Sequence, residues 1–131
     1  MADRALFVGF GAPVRGREER AIEVFNEFVG MLGRFQSEGR IEGMDVSLLD
    51  AHGGDLGGFF MVHGSEAQCA ALPHDEEFRR AVIDATLIVE NLGVVPAVTG
   101  EAVGREMGMY SDAVKKVGHG AHALAGAHNG G

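Results

Sequence analysis

Apolar and polar positions alternate along this chain with two different periods, and the changes of period divide it into strands and helices. Ala5 to Phe10 is a short apolar run closed by Gly11, Pro13 and Gly16, the pattern of a buried strand followed by a turn. From Arg17 the period lengthens: Ala21, Phe25, Phe28, Leu32 and Phe35 recur at steps of four and three, with Ile22 and Val29 beside them. The spacing predicts a helix over 17–38 with a broad apolar face, acidic residues Glu18 and Glu19 in its first turn, and Gly39 as its stop. Met44, Val46 and Leu48 then alternate with Asp45 and Ser47, as in a strand with one face on a core and the other in water.

After the glycine-rich linker HGGDLGG comes FFMVH, in which Phe60 and Val62 point to one side and Phe59, Met61 and His63 to the other. Both sides are apolar enough to need a cover. Ser65 and Gln68 make a capping-box pattern for a short helix that Pro73 interrupts, and Asp75 caps a second helix, in which Phe78, Val82, Ala85, Val89 and Leu92 repeat at helical spacing up to Gly93. Val94 to Val98 is a fourth strand, and Pro96 within it argues for a sheet edge. Val103, Met107, Tyr110, Val114 and Val117 line a final helix over 100–117. Residues 118–131 are mostly glycine, alanine and histidine and read as a flexible tail, though Ala121 to Ala127 could pack on a neighbour.

This order is that of an α+β fold, a ferredoxin-like β-α-β-β-α-β sandwich over residues 1–117 with an extra C-terminal helix. Helices cover one sheet face. The other carries apolar residues too, and its simplest cover is the same face of a second copy, so the expected assembly is a homodimer through the sheet.

Composition narrows the function classes. At 131 residues, 46% hydrophobic and 23% charged, the chain has the makings of one globular domain. Its formal charge of −8 repels phosphate backbones, which argues against nucleic acid. The N-terminal apolar run is too short for a signal peptide or a membrane span, and a lone cysteine, Cys69, without a base beside it reads as a small buried apolar side chain in a reducing, cytoplasmic protein.

The stretches LFVGFGAPVRGREE, LLDAHGGDLGGFFMVHG and EEFRRAVIDATLIVENLGVV resemble those of an uncharacterised bacterial group within the dimeric α/β-barrel superfamily. Small members of that superfamily include cofactor-free monooxygenases and stress-responsive barrel proteins. The resemblance spans residues 5–117 and rests on element order and texture. It implies the fold and the dimer, and it carries no catalytic role over to any residue here.

Candidate chemistry is sparse. His52 and Asp55 open the linker at a spacing that lets a carboxylate orient an imidazole, the unit of general-base catalysis; the plainer reading is a glycine turn with Asp55 bonding its own backbone. His63 lies on the same strand face as Phe59 and Met61, so it would project from an apolar wall, as a base or as a hydrogen-bonded rim residue. His52 and His63 flank the hairpin and would come close, yet a pair of histidines lacks the third ligand of a catalytic zinc site, and no metal is assigned. His119, His122 and His128 sit among glycines without acidic partners. Tyr110, on the last helix, would place its ring in the core or its hydroxyl at a pocket mouth, and Met31, Met44, Met61, Met107 and Met109 read as adaptable core filler. Arg15 and Arg17 would hold an anion or offset the acidic surface. Gly9-Phe10-Gly11 lacks the third glycine of a dinucleotide fingerprint, Val14 standing in its place, and no phosphate-loop sequence occurs, so no cofactor is expected.

The leading expectation is a homodimeric ligand-binding or structural domain enclosing an apolar cavity, with Phe59, Met61 and Tyr110 against a small hydrophobic ligand. The alternatives are a cofactor-free oxygenase or isomerase acting on a small hydrophobic or aromatic molecule, with His63 or His52 as base and Tyr110 orienting the substrate, and a subunit of a larger homo-oligomer.

Overall fold

The computed structural model describes the backbone of residues 2–128 and the side chains of residues 2–118. Nine elements follow one another: β1 (Arg4–Phe10), α1 (Glu18–Ser37), β2 (Gly43–Leu48), β3 (Gly58–Gly64), α2 (Glu66–Ala71), a 3-10 turn (Leu72–His74), α3 (Glu76–Thr86), β4 (Gly93–Val98) and α4 (Ala102–His128). The strands form one sheet in the order β2-β3-β1-β4, every neighbouring pair antiparallel. That is the ferredoxin-like arrangement expected from the element order.

Register settles which side chains share a face. Leu6 lies opposite Val62, and Val8 opposite Phe60 and Val94, so these residues point together toward the helices. They meet Phe28, Met31, Leu32 and Phe35 of α1 and Phe78 of α3 in the main core. Ala21 and Val24, near the start of α1, pack instead on Ala85 and Ile88 as a second, smaller cluster. The opposite sheet face carries Phe7, Phe59, Met61, Val95 and His63; all but the exposed Val95 are half-buried.

Local signals explain several boundaries. Ser65 accepts from the Gln68 amide while the Gln68 side chain takes the Ser65 amide, and Asp75 accepts from the Phe78 amide, so both expected caps form. Pro96 lies in β4, a sheet edge, as its missing amide requires.

Three boundaries or placements differ from the sequence reading. α3 stops at Thr86, not near Leu92: the β-branched Ile88 and Val89 lie beyond the helix, and Val89 forms an isolated bridge with Pro13. α4 runs on past Val117 to His128 through an alanine-rich stretch suited to helix. Along α4, Val103, Met107, Met109, Tyr110, Val114 and Val117 are exposed, so neither these methionines nor the Tyr110 ring fills the core. The tail histidines His119, His122 and His128 have side chains outside the described residues.

Candidate functional site

A pocket lies between the two core clusters, under the helix face of the sheet. Phe10, Phe25, Phe28 and Phe60 form one side, and Ala21, Val24, Ala85, Ile88 and Val89 the other, around a pocket of about 550 Å³. Two features of the sequence leave this space unfilled. Ala21 and Ala85 face each other where α1 approaches the end of α3, and a methyl cannot span the gap that a leucine would. The early end of α3 then turns the chain so that Ile88 to Glu90 run beside Gly11 to Val14, closing that end of the pocket.

This closure is a short backbone ladder. The Gly11 amide donates to the Glu90 carbonyl at 2.7 Å, the Glu90 amide to the Ala12 carbonyl at 2.9 Å, and the Val14 amide to the Ile88 carbonyl at 2.9 Å. Gly11 is required there: a Cβ would stand 2.8 Å from the Asp55 carbonyl oxygen and 2.9 Å from that of Glu90. Arg17 adds a guanidinium bond to the Leu87 carbonyl and so helps hold this frame.

The pocket is chemically plain. No polar or charged side chain is buried among the described residues, and the amides of Gly11 and Gly57 at its edge are already spent on the Glu90 and Phe10 carbonyls. At the mouth, Ile22 (64% exposed) and Leu48 (69%) reach into solvent, and Glu18 is the one ionisable lining residue. A wall of this kind recognises shape and apolar surface, with nothing inside to anchor a carboxylate or a phosphate.

The residues singled out from the sequence fall elsewhere. Phe59, Met61 and His63 lie on the far sheet face, and Tyr110 is 65% exposed on α4; none of them lines the pocket. Phe59 packs on Phe7 with centroids 5.1 Å apart, which half-covers that face. His63 has a carboxylate partner on the neighbouring strand, Asp45, with Nε2 and Oδ2 at 2.8 Å. The two side chains share one sheet face on adjacent strands, β2 and β3, a pairing that the alternation of both strands could have flagged once their register was known.

His52 and Asp55 do line a common hollow, a second and smaller one of about 270 Å³ in the linker, together with Glu90 and Asn91. Within it the His52 Nδ1 accepts the Gly54 amide at 3.2 Å, which makes the ring part of the turn. His52 and His63 do not approach each other. His63 pairs with Gly43 at the start of β2, at the end of the hairpin away from the linker, five residues along β3 from Gly58 and so about 17 Å distant at ~3.3 Å per residue. No group of three His, Cys, Asp or Glu able to hold a metal occurs among the described residues. Cys69 is buried beside Val62 and burial pushes its thiol pKa up, away from nucleophilic use.

No protein-family profile matches the chain, and no curated protein matches it. Among solved structures, it is similar to a dimeric protein of unknown function and ferredoxin-like fold from Bacteroides fragilis, with a TM-score of 0.54 and 12% identity over 72% of this chain and 95% of that one. The likeness is one of backbone, and together with the sheet order it shows that this chain has a ferredoxin-like α+β fold.

Proposed function

We propose that this protein is a homodimeric binding domain of the dimeric α/β-barrel type, which takes up a small, uncharged, apolar molecule in the pocket between α1, α3 and the sheet. The observation that carries this reading is the pocket wall: four phenylalanines and a set of aliphatic side chains enclose space for a drug-sized molecule without a buried polar group to orient it. The acidic mouth at Glu18 and the chain's charge of −8 both disfavour an anionic ligand. Dimerisation is supported by the half-covered face of Phe7, Phe59 and Met61 and by the dimeric state described for the Bacteroides protein.

Calorimetric titration with a series of linear primary alcohols, set against the matching carboxylates, tests the binding reading. Each added methylene should tighten binding about fourfold, from ~0.8 kcal/mol per buried CH₂, until the pocket is full, with a negative heat-capacity change. The carboxylates should bind more weakly throughout. An Ala85→Phe variant, which places a ring in the pocket, should abolish the series. Alcohol binding that survives Ala85→Phe unchanged would remove the pocket from the account.

A second reading is favoured by the Asp45–His63 pair: an enzyme that takes a proton from a small apolar substrate held over the Phe59 and Met61 face, with His63 as base and Asp45 orienting it. It places the substrate on the opposite side of the sheet. Turnover of any candidate substrate that persists in His63→Gln would exclude it.

A further inference from the structure

α4 is attached to the domain by its first turn and then leaves it. Ala102 is buried, and Arg105 reaches back to Asp3 at 3.3 Å. Among the described residues, the apolar side chains Val103, Met107, Tyr110, Val114 and Val117 of the helix are all exposed. Their spacing is four, three, four, three, and in the sequence Ala121 and Leu124 carry it on. That alternation averages 3.5 residues, the period of a seam between two helices that wind around each other.

The residues beside the seam are suited to a close neighbour. Gly104, Ser111, Ala113 and Gly118 flank it, and Glu106 is the one charged flank. Arg105, Asp112, Lys115 and Lys116 fall at heptad positions on the side away from the seam, where they stay in water. A helix that lies on a lipid surface borders its apolar face with lysine and arginine, and this one borders it with small residues.

We infer that the seam is filled by α4 of a second copy of this chain. Two such seams match each other because both carry the same period, and no row of like charges opposes the pairing. A helix of 27 residues is about 40 Å long, enough for several turns of such a seam. The inference rests on the self-association in the proposed function but uses a surface other than the sheet face, so a chain with both contacts has two ways to meet its copies.

The full chain carrying Cys69→Ala and Tyr110→Cys should form a disulfide-linked dimer under mild oxidation, and the same chain with Asp112→Cys in place of Tyr110→Cys should not. Light scattering on Met107→Glu/Val114→Glu at micromolar concentration should give half the mass of the parent or less, with an unchanged thermal transition of the domain. Equal cross-linking at 110 and 112, or a double-glutamate variant with the parent's mass, overturns the inference. Phe59→Glu separates the two surfaces: if it alone lowers the mass while the α4 variants keep theirs, the sheet-face dimer stands and the α4 pairing falls.

Discussion

The rings of Phe28 and Phe60 meet with centroids 4.9 Å apart, fastening α1 to β3 at the junction of the core and the pocket. Phe60 is only 3% exposed and also touches Phe10 and Phe25, at 6.0 and 5.4 Å, so one side chain supports the whole aromatic wall. Phe60→Ala should cost about 3–5 kcal/mol of stability. Phe59, its neighbour on the other sheet face, is half-buried against Phe7 alone among the aromatics, and Phe59→Ala should cost clearly less. Urea unfolding of the two variants checks this, and equal losses would contradict the assignment of faces.

Gly11 marks where β1 hands over to the ladder that closes the pocket. Gly11→Ala puts a Cβ against two backbone oxygens that have no side-chain freedom to yield. The segment from Gly11 to Val14 must then move away from Ile88 to Glu90. Amide hydrogen exchange at Glu90 and Val14 should speed up in this variant, and affinity for the longest alcohol should fall. Gly30→Ala, on α1 with open space around its Cα, should leave both unchanged.

Asp75 ties stability to pH at the acid end. The Phe78 amide it caps, and after it the Arg40 guanidinium, hold its carboxyl below the usual value of 3.8. The folded chain therefore binds this proton less readily than the unfolded one. The contribution is complete above the ordinary carboxylate range and is lost as pH falls through the lowered value. Asp75→Asn keeps an acceptor for the cap but loses the charge, so its stability deficit should be present at pH 7 and shrink as the pH drops below about 4. Thermal melts at a series of pH values read this directly. A constant deficit would show that the carboxylate charge plays no part.

The fold was legible because its signals are local. The capping box at Ser65 and Gln68, Asp75 at the head of α3, Pro96 on an edge and the alternation of Phe59 to His63 each need only neighbours in sequence. The pocket was not legible, because it arises from Ala21 and Ala85, two alanines 64 positions apart that meet only when α1 lies beside α3. In the sequence each is one more apolar position on a helical face. The partner of His63 was not legible for the same reason: Asp45 lies 18 positions away in sequence, and only the pairing of β2 with β3 brings it beside the imidazole. α4 shows the converse. Its stripe was visible and its period correct, but a stripe says that a helix face will be covered and not by what.

Methyl-resolved NMR during titration with a saturating alcohol tests the central claim most directly, since it reports on which side of the sheet the molecule sits. The account predicts that the largest shifts fall on Val24, Ile88 and Val89 around the pocket, with Met61 and Val95 on the far face nearly unmoved. Shifts concentrated on Met61 and Val95, with the methyls between α1 and α3 unchanged, would contradict it.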